Sequence, residues 1–102
     1  MQLIAARKGQ ILHIELKGEL DHHSARNFAE QLDALLLEKE IKILELDLKK
    51  LAFMDSSGIG VILGRYKKIS ARGGRMRVVN ENKAINKIFQ ISGLYQLIEH
   101  IG

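Results

Sequence analysis

The chain has 102 residues, 46% of them hydrophobic and 27% charged, with a formal net charge of +4. That composition describes one small globular domain with a modest core, neither a disordered chain nor two domains. The absence of Cys excludes disulfide scaffolds, thiol catalysis and Cys-based zinc sites, and an aromatic content of 5% without Trp argues against stacked bases or sugar rings as ligands.

The opening segment "MQLIAARKGQ" has too short an apolar run for a signal peptide, and no stretch approaches a membrane span. The expectation is a cytoplasmic protein without a membrane partner. Leu3–Ala6 carries a short strand signal, and Gly9-Gln10 reads as a turn. "ILHIEL" alternates, with Leu12, Ile14 and Leu16 on one face, so the first two strands are close enough to pair as a hairpin. "KGELDHHS" breaks the pattern. From about His23, Ala25, Phe28, Leu32, Leu35 and Leu36 recur at helical spacing, with Asp21 or His22 as candidate caps. "IKILELDL" is a strand with Leu44, Leu46 and Leu48 on one face. Ile59, Ile62, Tyr66 and Ile69 then form one helix stripe, ended by "ARGG". "RMRVVN" is a strand, and "NKAINKIFQISG" a short helix with Ala84, Ile85, Ile88 and Phe89 inward, stopped at Gly93. "LYQLIEHI" fits a last strand or a helical turn. The order is β-β-α-β-α-β-α plus a tail. It predicts an α/β domain: a mixed, mostly parallel sheet of four or five strands with helices packed against it. The first strand is expected to pair antiparallel.

In such sheets functional groups gather at the carboxyl ends of the strands. Two loops meet there: "GELDHHS" after the second strand and "FMDSSG" after the third. Asp55, Ser56 and Ser57 all belong to residue types that accept hydrogen bonds from first-turn amides. Ser57 is the expected cap, with Asp55 holding the loop. Gly58 and Gly60 weaken the first turn but leave room for another protein's backbone near the hydroxyls. A phosphate would sit favourably on this positive helix end.

"GELDHH" (18–23), "FMDSSGIGVILGRYK" (53–67) and "FQISGL" (89–94), with the intervening strand–helix order, resemble the STAS family over nearly the whole chain. This is the family of sulfate transporter and anti-sigma-factor-antagonist domains; the match is closest to the sporulation antagonists. "MDSSG" followed by "GVILGRYK" is the specific part; "GELD" alone would be weak. The resemblance implies a protein that is not itself an enzyme and needs no cofactor. Its partner would be an anti-sigma factor that is also a serine kinase, bound to ATP or ADP. The unphosphorylated antagonist would hold that partner and free the sigma factor. Phosphorylation would fall on the serine after the motif aspartate, Ser56, and a serine phosphatase would reverse it. Asp21, His22, Asp55, Ser57, Gly58 and Gly60 would lie at the partner surface, on a chain that is monomeric when free. Asp21 would repel a phosphate on Ser56. The sequence ends at Gly102, short of the C-terminal helix that the resemblance leads one to expect. A general-stress antagonist or another signalling module with the same fold and switch is the alternative.

Other readings fare worse. "DSSG" lacks the G-x-S-x-G elbow of a serine hydrolase. His22 and His23 are adjacent and so point different ways, with no third metal ligand in view. The charge is uneven, net −1 over residues 1–50 and +5 over 51–102, with six basic residues and no acid from Arg65 to Arg77. Lys67, Lys68, Arg72, Arg75 and Arg77 read mainly as a solvated face. If functional, they would meet an acidic protein, since no nucleic-acid recognition pattern accompanies them. Phe53, Ile59 and Ile62 are expected core positions.

Overall fold

The computed structural model describes residues 1–101. Its elements are β1 (Gln2–Lys8), β2 (Ile11–Leu20), α1 (Ala25–Leu35), β3 (Ile43–Met54), α2 (Ser56–Ala71), β4 (Arg75–Val79), α3 (Lys83–Ser92), a 3-10 turn (Leu94–Gln96) and β5 (Glu99–Ile101). The five strands lie in sequence order in one sheet. β1 pairs antiparallel with β2 through the Gly9 turn, and β2, β3, β4 and β5 are parallel to their neighbours. The expected mixed sheet is thus present with five strands. The ambiguous tail is both a helical turn and a strand.

Alternation dictates the core. Leu12, Ile14 and Leu16 of β2, Leu44, Leu46 and Leu48 of β3, and Met76 and Val78 of β4 are all buried. They share one cluster with Phe28 and Leu32 of α1, Ile62 and Ile69 of α2, and Ile85 and Phe89 of α3. All three helices therefore cover the same face of the sheet. Residues of the opposite parity, such as His13, Glu15, Glu45 and Asp47, lie on the other face. There Glu45 Oε2 contacts His13 Nδ1 at 2.5 Å and Oε1 accepts from Arg77 Nε at 2.8 Å. Burial opposes ionisation of Glu45, yet these two partners together hold its pKa below the ordinary carboxylate value.

Several expectations change here. "KGEL" does not end β2. The strand continues to Leu20 by absorbing register shifts between Glu15 and Lys17 and between Gly18 and Glu19, with Gly18 at φ +111°. β3 likewise runs on to Met54. Its buried positions pass from every second residue to every third, Leu48, Leu51 and Met54. That slip turns Leu51 inward, while Phe53 keeps the outward parity of Glu45 and Asp47 and is 47% exposed. Ala84 is exposed as well.

The basic stretch from Arg65 to Arg77 serves the fold. Arg65 and Lys68 both pair with Asp33 of α1, at 3.0 and 2.9 Å. Arg72 donates to the carbonyls of Leu36 and Glu38 just past the end of α1, at 2.6 and 3.2 Å. Arg75 pairs with Glu99 at 3.1 Å. The C-terminal segment is tied down similarly. The Tyr95 hydroxyl donates to Glu81 at 2.8 Å, and His100 Nδ1 contacts the same carboxylate. Burial and Glu81 push the Tyr95 phenol well above its usual range.

Leu46→Ala should cost about 2–5 kcal/mol, because a fully buried branched chain leaves a cavity. Phe53→Ala, at a half-exposed site, should cost less than about 1 kcal/mol. Guanidinium unfolding monitored by circular dichroism measures both. Equal losses would place Phe53 back in the core.

Candidate functional site

The carboxyl ends of β2 and β3 lie side by side, with Leu20 opposite Met54. The loops that follow are therefore neighbours. The Asp55 amide donates to the Leu20 carbonyl at 3.3 Å, which extends the pairing by one step. The Asp55 backbone is extended, at φ −108° and ψ −170°, as suits the residue before a helix. Asp55 Oδ1 accepts from the amides of Ser57 at 2.9 Å and Gly58 at 3.1 Å. Its other oxygen, Oδ2, accepts from the His22 amide at 3.1 Å. Asp55 is thus the cap of α2, and it reaches across to the β2–α1 loop.

Ser57 is not the cap. It is the second residue of α2, partly buried, and its amide is donor to Asp55. Ser56 is the first residue of α2 and is exposed, and no hydrogen bond occupies its hydroxyl among the described residues. Its Oγ therefore stands at the positive end of a 16-residue helix.

The two glycines have different roles. Gly58 is buried, and a Cβ there would lie 2.5 Å from the Leu20 carbonyl oxygen and 2.6 Å from Met54 Cγ. It lets α2 close down on the two strand ends and so faces the core. The expectation that it opens the surface to a partner is overturned by this close approach. Gly60 is exposed, with nothing within 4 Å of a Cβ, and leaves open surface close to Ser56.

The neighbouring loop is folded on Asp21. Its Oδ1 accepts from the amides of His23 at 2.9 Å and Ser24 at 3.1 Å. The Ser24 hydroxyl donates to the Glu19 carbonyl at 2.7 Å and accepts from the Asp21 amide at 3.0 Å. The Ser24 amide bond, with help from His23 and the Ser24 hydroxyl, outweighs burial and holds the Asp21 pKa below its ordinary value. Asp21 orders the turn, while Ser24 occupies the cap position of α1 with its hydroxyl turned to the loop and not to the first-turn amides. His22 is exposed, and its backbone is what meets Asp55. No group of three metal-ligating side chains forms among the described residues. No described helix is long and apolar enough to cross a membrane.

Sequence reasoning missed Phe53 as a surface residue. The signal was present in "ILELDLKKLAFM": Phe53 has the parity of Glu45 and Asp47, opposite to that of Leu44, Leu46 and Leu48.

The STAS domain model matches residues 2–102. The chain belongs to the STAS family. It is 42% identical over 88 residues to the anti-sigma F factor antagonist of Paenibacillus polymyxa, covering 86% of this chain and 75% of that protein. It is 31% identical over 88 residues to the anti-sigma-B factor antagonist of Bacillus subtilis, covering 86% and 79%. Among solved structures it is similar to the anti-sigma factor antagonist SpoIIAA in its unphosphorylated form, at 25% identity and a TM-score of 0.78, over 99% of this chain and 88% of that one. The phosphorylated form of SpoIIAA from Bacillus gives 28% identity and a TM-score of 0.77, over 99% and 92%.

Gly58→Ala should destabilise the domain by about 1–3 kcal/mol through overpacking against backbone. Gly60→Ala should stabilise it by up to about 1 kcal/mol, since Ala favours the helix and meets nothing. Urea unfolding distinguishes the two; equal effects would refute the inward placement of Gly58. The Asp21 carboxylate, lowered from 3.8, contributes stability present above that value and lost as pH falls through its folded pKa. Asp21→Asn should therefore trail the wild type at neutral pH, with the gap narrowing below about pH 4. A gap unchanged on acidification would show that the turn does not depend on the ionised carboxylate.

Proposed function

We propose that this chain is an anti-sigma factor antagonist of the sporulation type, switched by phosphorylation of Ser56. The observation that carries the reading is the Ser56 corner. It is an exposed, unengaged hydroxyl at a helix N-terminus, on a rigid turn, in a chain 42% identical to an anti-sigma F factor antagonist. SpoIIAA, which has the same fold, exists in unphosphorylated and phosphorylated forms.

In this reading the unphosphorylated chain binds an anti-sigma factor that is also a serine kinase, in the cytoplasm, and so frees the sigma factor. The contact surface includes the Ser56 corner, Gly60 and the loop of Asp21 and His22. Asp55 and Gly58 act behind it by fixing the corner, and Ser57 lies beside the acceptor. With ATP bound, the kinase transfers the γ-phosphoryl group to Ser56 Oγ. The hydroxyl proton is released and ADP remains on the kinase. The kinase supplies metal, nucleotide and base; this chain supplies an oriented hydroxyl. The phosphate brings about two negative charges to a corner that already carries Asp21 and Asp55, so the complex is lost by repulsion and bulk. A serine phosphatase hydrolyses the ester and restores the binding form. The 31% identity to an anti-sigma-B factor antagonist favours a second reading, the same switch with a general-stress partner.

The test is intact-mass spectrometry with peptide mapping after incubation with ATP, magnesium and the anti-sigma F factor of Paenibacillus polymyxa. Wild type and Ser57→Ala should each gain one phosphate on Ser56, and Ser56→Ala none. Ser56→Ala should keep binding in the presence of ATP, whereas Ser56→Asp should bind poorly. Labelling of Ser57 instead would move the acceptor by one residue. Absence of any phosphate, with a kinase active on its own antagonist, would reject the sporulation assignment.

A further inference from the structure

Phe53 is the one Phe or Tyr exposed on the surface among the described residues. It precedes the Ser56 acceptor by three residues, and its β-sheet register partner on β2 is Glu19. The next residue in each strand, Leu20 and Met54, is buried against the helices. Glu19 and Phe53 therefore project together from the opposite, open face of the sheet, at the edge where the Ser56 corner sits.

The other carboxylates of that face are committed. Glu15 pairs with Lys50 at 3.1 Å, Glu45 with Arg77 at 2.8 Å and Glu99 with Arg75 at 3.1 Å. Glu19 is exposed and forms no ion pair among the described residues. The fold thus leaves one aromatic ring and one free carboxylate side by side, next to the phosphoacceptor. An exposed ring contributes little to folding, whereas a buried ring at an interface is a characteristic anchor.

We propose that Phe53 and Glu19 form a docking epitope that continues the Ser56 corner onto the open sheet face. Its occupant is the anti-sigma factor, which offers an apolar socket for the ring flanked by a basic side chain for the carboxylate. This rests on the antagonist reading above and deepens it by naming contacts outside the "DSSG" turn. The ring supplies affinity by leaving water. The charge pair supplies orientation and a salt-dependent association rate. Because the epitope lies on β2 and β3 and not on the loops, it is held rigidly and costs little ordering entropy on binding.

The experiment is surface plasmon resonance of the full chain against the anti-sigma F factor of Paenibacillus polymyxa loaded with ADP, alongside melting temperature and Ser56 labelling at saturating chain. Phe53→Ala should weaken binding at least about tenfold, while melting temperature and saturated labelling stay at wild-type values. Glu19→Gln should slow association and flatten its salt dependence. Wild-type binding with both variants unaltered would overturn the epitope and leave the antagonist reading intact. A wild-type chain that neither binds nor is labelled would overturn that reading and the epitope with it. If Phe53→Ala lowers the melting temperature, Phe53→Leu serves as the comparison. It keeps apolar volume for folding, and its wild-type affinity would overturn the aromatic anchor.

Discussion

The carboxylate of Asp55 is the contact on which the functional end of this domain depends. One oxygen takes the amides of Ser57 and Gly58; the other takes the amide of His22. Three donors from two segments, 33 residues apart for His22, are satisfied by one side chain. Each would otherwise be an unpaired group at a helix start or a tight loop. The arrangement is possible because β2 and β3 are parallel neighbours ending at the same edge, joined by the crossover through α1. It also requires Gly58, since any Cβ would hold α2 away from the Leu20 carbonyl and open the distances that Asp55 spans.

The charge distribution follows the same economy. A strip of six basic residues in sequence suggests an electropositive surface. In three dimensions, Arg65 and Lys68 converge on Asp33, Arg72 satisfies carbonyls beyond α1, and Arg75 and Arg77 meet Glu99 and Glu45. The half of the chain with excess acid lies against the half with excess base. Net charge counted along the chain therefore overstates the field at any one surface. The carboxylates left without an ion pair among the described residues, Glu19, Asp21 and Asp55, lie at the strand edge around the Ser56 corner.

The element order, the antiparallel first strand, the inward faces of β2 and β3 and the Ser56 corner were legible, because each rests on local periodicity or on a short motif with a mechanism. Leu12, Ile14 and Leu16 could belong only to a half-buried strand. Two of the misreadings share a cause. Strand length past "ILHIEL" and "ILELDL" depends on register shifts between β2 and β3, and the inward direction of Gly58 on the approach of α2 to Leu20 and Met54. Both are set by contacts between distant segments, and no window of sequence contains them; the outward parity of Phe53, by contrast, was readable locally. The choice of Asp55 over Ser57 as cap was a local ambiguity. The extended Asp55 backbone resolves it by placing Oδ1 on the Ser57 and Gly58 amides, and the tertiary bond from His22 takes the other oxygen.

A corner built this way constrains how a phosphate on Ser56 could act. In an ordinary helix start the first-turn amides are free to bind an added anion. Here Ser57 and Gly58 already donate to Asp55, and the second Asp55 oxygen is taken by His22. A phosphoryl group would have to displace a carboxylate that holds two loops together or project outward into solvent. Displacement would break three bonds to gain two, and would leave Asp55 beside a doubly charged neighbour. Projection keeps the fold and leaves the new charge unneutralised at the surface, near Asp21 and Gly60. On the proposed reading, phosphorylation would be read as charge and volume by the docking partner, not as a change of shape. On that reading, the rigidity that would present the hydroxyl to a kinase is the same property that would make the modified corner unacceptable to it.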